Sequence, residues 1–183
     1  MEAPPPALLK TIKVIDTFTE WCGNVVAWMI LPMVVGLTYE VVARYAFNRP
    51  TIWAFDLTYM LYGSLFMLGA AYALLHGAHI RTDMLWEKYS DRKKGMIDAL
   101  AYLLFFFPGI LLVFFASVDE AYHAWQIGER SEQTAWRPIL YPFKAVVPVT
   151  AVLLLIQGVS ELLKSLYAWR TGRLLSKHEG IEI

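Results

Sequence analysis

The sequence is poor in cysteine, and Cys22 is its single thiol among 183 residues. One thiol can form neither an intrachain disulfide framework nor a metal site built from several thiolates. Cys22 comes two residues after Glu20, where a long apolar run begins. We therefore interpret it as a small apolar side chain near the start of a helix.

Charged residues are also scarce, at 17% of the chain, against about 25% in a typical soluble domain. The formal net charge is zero, which disfavours nucleic-acid binding. The few charges fall in clusters, and no Asp, Glu, Lys or Arg occurs from Leu57 to Ile80 or from Ala99 to Val118. Such segregation in a chain that is 57% hydrophobic predicts an integral membrane protein.

Four segments are long enough to cross a bilayer, whose hydrocarbon core requires about 20 helical residues. A backbone in lipid must satisfy its own hydrogen bonds, so each segment is expected to be helical. The predicted fold class is therefore an all-α integral membrane protein with a single domain over residues 1–183. Its four predicted spans cover about residues 21–43, 55–76, 97–118 and 141–163.

Two further helices are predicted to lie on the membrane surface. Apolar and charged residues over about residues 7–20 fall on opposite faces of a helix, which is typical of an amphipathic interfacial helix. The alternative is a cytoplasmic extension of the first span. Ile80, Met84 and Leu85 suggest a second, short interfacial helix between spans two and three.

Lys and Arg are distributed unevenly between the two sides of the membrane. Eleven lie on the side of the termini and of the connection between spans two and three, and five lie on the other side. The positive-inside rule therefore predicts that both termini are cytoplasmic.

Ionisable residues near the span ends are the candidate functional residues. Glu40 and Arg44 are four residues apart at the outer end of span one, a spacing at which they can pair on one helix face. Asp56 follows Trp53 at the outer start of span two, where we expect it to pair with a charge or to reach the headgroups. His79 and Asp83, again four apart, are predicted to fix the turn that leaves span two.

Span four carries its own polar residues. Lys144 and Glu161 lie close enough to its ends for their charges to extend to the headgroups. Gln157 and Glu161 are one turn apart, and we expect them to take part in hydrogen bonds between helices.

Catalytic patterns are missing: the sequence has no glycine-rich phosphate loop and no carboxylate pair inside a span. We therefore predict no enzyme and no cofactor or metal in this chain. One alternative is a haem-bearing anchor of a redox complex, but its histidines would have to meet at one depth, whereas His76 and His123 fall at opposite ends of their spans. Another is a small proton-coupled four-helix exporter, which needs an ionisable group near the membrane midplane, and Glu40 is near the outer end.

The segment over residues 38–56 reads TYEVVARYAFNRPTIWAFD. It resembles the small membrane subunit, or DctQ-like small permease component, of tripartite ATP-independent periplasmic (TRAP) transporters, in which a Glu precedes Arg-Tyr-x-Phe and a Trp and an acid open helix two. Asp56 stands where that acid is more typically Glu. Residues 77–83, GAHIRTD, resemble the family's exit from helix two, and residues 128–158 resemble its branch labelled for mannitol or chloroaromatic compounds.

The resemblance implies a non-catalytic scaffold subunit in the bacterial inner membrane. Its implied partners are a large membrane subunit, which carries sodium coupling and transport of an organic acid, and a periplasmic substrate-binding protein. Candidates for a subunit interface or for a structural polar role are Glu40, Arg44, Trp53, Asp56, His79 and Asp83. Candidate contacts of the outer loop with the binding protein are Glu129, Arg130, Glu132 and Arg137.

Overall fold

The computed structural model describes residues 5–77, 89–173 and 175. Within these residues the chain is helical, apart from its connections and one isolated β-bridge between Arg130 and Ile139. A π-helical segment, Tyr102–Phe106, joins two of the helices. The α-helices are α1 (Pro6–Ala27), α2 (Ile30–Ala46), α3 (Ala54–Leu68), α4 (Ala70–Leu75), α5 (Asp91–Ala101), α6 (Phe107–Gln126) and α7 (Tyr141–Thr171).

These helices join into four long stretches, which we call the first to fourth membrane helices. Each is long and apolar enough to cross a membrane. The prediction of an all-α membrane protein with four spans is therefore confirmed. The stretches are Pro6–Ala46, Ala54–Leu75, Asp91–Gln126 and Tyr141–Thr171.

The first membrane helix contains the predicted amphipathic segment. Pro6 occupies the first turn of α1, where its missing N–H costs no hydrogen bond. α1 runs past residue 20 to Ala27, and only the turn at Trp28 and Met29 separates it from α2. Its buried residues are Ile12 and Thr19. The placement of residues 7–20 in the membrane interface stays a prediction, and the predicted short helix between spans two and three lies outside the described residues.

The fourth membrane helix, α7, is the centre of the bundle. It contacts both helices of the second membrane helix, both of the third, and α1. Its buried residues are mostly small or polar, which suits the close approach and the interhelical hydrogen bonds by which helices associate in lipid. They are Thr150, Ala151, Gln157, Gly158, Ser160, Glu161, Ser165 and Ala168.

The third membrane helix approaches α7 closely at two points. A Cβ added at Gly95 would lie 2.5 Å from the backbone nitrogen of Trp169, so backbone meets backbone there. Further along, a Cβ at Gly158 would lie 2.5 Å from Cε1 of Phe106, the last residue of the π-helical segment. A π-helical turn rotates the residues that follow it relative to an uninterrupted α-helix. This segment was not predicted from the sequence.

The bundle has two chemically different ends. The loop end carries the connections 47–53 and 127–140. The basic end carries the start of α5 and the end of α7, with Arg92, Lys93, Arg170 and Arg173.

Candidate functional site

Glu40 ties the first connection of the loop end to α2. Glu40 is 8% exposed, and its Oε1 accepts a hydrogen bond from Arg44 Nε at 2.8 Å. Its Oε2 accepts one from the backbone N–H of Thr51 at 2.8 Å and another from the Thr51 hydroxyl. The pair that the i, i+4 spacing predicted therefore forms, and the same carboxylate also holds the connection 47–53.

Trp53 packs between the first two membrane helices. It stands at the N-cap of α3, and its ring stacks on that of Tyr39 with centroids 5.8 Å apart. Gly36 of α2 faces the same indole, since a Cβ there would meet Trp53 Cζ3 at 3.7 Å. Glu40, Arg44 and Trp53 thus belong to one packed unit around the first connection.

Asp56 holds residues 127–140, the second of the two connections at the loop end, through hydrogen bonds. The residue is 1% exposed, and its Oδ1 accepts a hydrogen bond from Ser131 Oγ at 2.6 Å while its Oδ2 accepts one from the Thr134 hydroxyl. The Ser131 hydroxyl oxygen accepts a hydrogen bond from the backbone N–H of Gln133 at 3.2 Å, and that of Thr134 accepts one from the backbone N–H of Trp136 at 3.3 Å. The expectation that Asp56 pairs with a charge or reaches the headgroups is wrong: its partners are two hydroxyls of the distant loop.

Lys144 closes the base of the same loop. Its Nζ lies 2.6 Å from Glu120 Oε1 in α6 and 2.6 Å from Glu129 Oε2 in the loop. Lys144 therefore bridges two elements, and its extension to the headgroups stays a prediction. Glu129, a candidate contact with the binding protein, is half-buried in this ion pair.

Backbone bonds give the loop a hairpin-like shape. Ser131 N donates to Pro138 O and Leu140 N donates to Glu129 O, each at 2.9 Å. Arg130 Nη1 donates to the backbone carbonyl of Arg137 at 3.3 Å, and Arg137 adopts a left-handed φ of 47°. These contacts join the two arms of the loop to each other.

The surface of the loop end combines aromatic rings with charge. Arg, Tyr and Trp are the side chains that dominate binding energy at protein interfaces. The arrangement is therefore suited to holding a protein partner. The exposed side chains are Tyr45, Phe47, Arg49, Arg130, Glu132, Trp136 and Arg137.

A second polar group, which we call the buried polar cluster, joins α1 to α7. Gln157 accepts the Thr19 hydroxyl at 2.7 Å and donates to Asp16 Oδ1 at 3.1 Å and to Glu161 Oε1 at 3.2 Å. Lys164 Nζ lies 2.8 Å from both Asp16 Oδ2 and Glu161 Oε1. The cluster consists of Asp16, Thr19, Gln157, Ser160, Glu161 and Lys164.

This cluster corrects one expectation and confirms another. Glu161 is 4% exposed, so the prediction that it reaches the headgroups is wrong. The predicted role of Gln157 in hydrogen bonds between helices is confirmed. The role of Asp16 was not predicted from the sequence, because its partners are more than 140 residues away and no local spacing connects them.

The remaining candidates are His79, Asp83 and the two histidines considered as haem ligands, His76 and His123. His79 and Asp83 lie outside the described residues. The ring of His76 packs on Tyr72 with centroids 4.2 Å apart, at the basic end of the second membrane helix, whereas His123 is in the last turn of α6 toward the loop end. Over residues 5–77, 89–173 and 175, no group of three or more His, Cys, Asp or Glu is placed to hold a metal ion.

Comparison with known families gives one match. Residues 33–167, well over half of the chain, match the family described as the DctQ component of tripartite ATP-independent periplasmic transporters. The matched range begins in α2 and ends in α7, so it includes both connections of the loop end. No curated protein matches the chain.

Proposed function

The chain belongs to the DctQ family of TRAP transporter components, and from that premise we propose that it is the fixed scaffold of such a transporter. In this role it holds a large transporting subunit in the membrane and helps to dock a periplasmic substrate-binding protein. Sodium coupling and an organic acid substrate belong, in this proposal, to the partner components. The match to the family supports the resemblance drawn from residues 38–56, and the mannitol or chloroaromatic branch stays a prediction.

The single observation that carries the docking role is that buried polar groups fix both connections of the loop end. Glu40 holds the first connection through Thr51, and Asp56 holds the second through Ser131 and Thr134. A surface that is ordered before binding loses less conformational entropy when a partner arrives. We therefore assign Glu40, Arg44, Trp53 and Asp56 a positioning role at the interface.

The docking surface in this proposal is the tip of the second connection. Arg130, Glu132 and Arg137 are exposed there beside Trp136. Charged rims of this kind fix the register and raise the rate of association with a complementary partner. Glu129 acts differently, because its bond to Lys144 makes it a support of the loop.

The scaffold role has a physical basis in the two charged ends of the bundle. If the large subunit moves part of its structure through the membrane, another part must stay in place. Vertical displacement of this chain would push its end charges into hydrocarbon, at a cost of roughly 2.5–3.5 kcal/mol for each charge at a helix centre. The proposed orientation has both termini in the cytoplasm and the loop end in the periplasm of a bacterial inner membrane.

Replacing Asp56 with alanine is expected to release the second connection while the bundle stays folded. Each hydrogen bond to the carboxylate is worth about 1.5–3 kcal/mol, so trypsin should cleave after Arg130 roughly tenfold faster or more. The affinity for the substrate-binding protein should fall in parallel. The measurements are the mass and rate of formation of the tryptic fragments in proteoliposomes, and a titration with the binding protein.

The double variant Ser131→Ala/Thr134→Ala removes the same bonds from the loop side and should reproduce both effects. Ser117→Ala is the matched control, because the Ser117 hydroxyl donates only to Phe114 O within its own helix. If loop cleavage accelerates in both loop variants while binding is unchanged, the docking role of this loop is wrong.

A further inference from the structure

The basic end contains a junction between the start of the third membrane helix and the end of the fourth. Gly95 sits directly against the backbone of Ser165 and Trp169, and one turn earlier Arg92 Cβ lies about 4.0 Å from the position that a Cβ on Gly172 would take. Gly172 ends α7 in a left-handed conformation, with φ of 68°. The first turn of α5 and the last turn of α7 therefore form one surface.

Basic side chains at this junction lie at the positive end of the α5 helix dipole, which disfavours them. Arg92, Lys93 and Lys94 occupy the first turn of α5, where the positive end of the helix dipole favours acidic residues instead. Ser90, at the N-cap, makes no side-chain capping hydrogen bond within the described residues. Asp91 is the acid of that turn, and it lies 3.9 Å from Lys94.

Among the described residues, no ion pair joins Arg92 or Lys93 to a carboxylate. Asp98 lies one turn after Lys94 on α5 and is only partly exposed, and Glu161 and Asp16 of the buried polar cluster already contact Lys164. Arg92 and Lys93 are exposed. An anion bound at the start of α5 would offset both the basic side chains and the helix dipole.

Apolar side chains continue from the junction along the membrane helices. Met96, Ile97 and Leu100 of α5 are exposed, and Trp169 of α7 is partly exposed beside Gly95. Tryptophan is typical of the headgroup level of a bilayer. A ligand here would have a negative headgroup at Arg92 and Lys93 and hydrocarbon along α5.

From this geometry we propose that the junction binds an anionic phospholipid, with its phosphate held by Arg92, Lys93 and the first turn of α5 and its acyl chains along Met96, Ile97 and Leu100. Basic surfaces at the ends of membrane helices are suited to such headgroups. The bound lipid would join the third membrane helix to the fourth on the side opposite the docking loops.

The test compares retention of cardiolipin and of zwitterionic phosphatidylethanolamine by the full chain, counted by native mass spectrometry. The wild-type protein should retain cardiolipin preferentially. Arg92→Gln/Lys93→Gln should weaken cardiolipin binding about thirtyfold, as expected for two basic residues at a membrane surface. Arg92→Lys/Lys93→Arg should retain most of the binding.

Lys10→Gln/Lys13→Gln is the matched control, because it removes the same charge from exposed positions of α1. It should change cardiolipin retention less than about twofold, because neither lysine belongs to the junction of α5 and α7. An equal loss in both double variants, or no preference for cardiolipin in the wild-type protein, would overturn the proposal. Displacement of cardiolipin by millimolar inorganic phosphate would assign the site to a free anion and would also overturn it.

Discussion

Replacing Gly95 with leucine is expected to destabilise the bundle by about 3 kcal/mol, at the upper end of what overpacking usually costs. The new Cβ would lie 2.5 Å from Trp169 N and 2.7 Å from Ser165 O. Both are backbone atoms of a helix, so a change of rotamer cannot relieve the clash and α5 must move away from α7. The measurement is unfolding in mixed micelles by SDS titration, followed by tryptophan fluorescence.

Gly109→Leu is the matched control, because it makes the same change in the same membrane helix at a position where a Cβ meets nothing within 4 Å. Its stability should equal or slightly exceed that of the wild type, since leucine has the higher helix propensity. Equal unfolding curves for the two variants would show that α5 and α7 do not pack as described.

Replacing Lys164 with methionine is the second change with a large expected effect. Lys164 Nζ contacts both Asp16 and Glu161, and Glu161 is 4% exposed. Removing the cation leaves the buried Glu161 carboxylate without a counter-ion, which costs about 3–5 kcal/mol for a buried ion pair. The same SDS titration should show this loss, together with faster proteolysis of α1 as it separates from α7.

A variant with an uncharged cluster distinguishes the effect of charge on stability from the effect of packing. The triple variant Asp16→Asn/Glu161→Gln/Lys164→Met keeps the shapes of the side chains and should recover most of the stability lost by Lys164→Met. Lys13→Met, at an exposed position of α1, should have little effect. A triple variant no more stable than Lys164→Met would mean that the ion pairs are not what joins α1 to α7.

The membrane helices could be predicted from the sequence because each depends only on the residues of its own segment. A run of about 20 residues with no charge admits one structure in lipid, and the second and fourth helices begin within one residue of their predicted starts. The helix ends were less predictable: α1 continues through residue 21 because nothing at Glu20 or Trp21 breaks a helix.

Both partners of a polar contact could be predicted only where they are on one helix; for Gln157 the bonding between helices was predicted but its partners on α1 were not. The pair of Glu40 and Arg44 follows from their spacing. Asp56 binds Ser131 and Thr134, which are 75 and 78 residues away, and such contacts depend on how the helices pack. Ser and Thr are common in loops, so residue type alone does not identify Ser131 and Thr134 as the partners of Asp56.

The most direct test of the scaffold proposal is substrate uptake by proteoliposomes that contain this chain alone, the large TRAP subunit alone, or both, each with the substrate-binding protein added outside. The account predicts uptake only when both membrane subunits are present, and co-elution of the two from detergent. Uptake by this chain without the large subunit would contradict it.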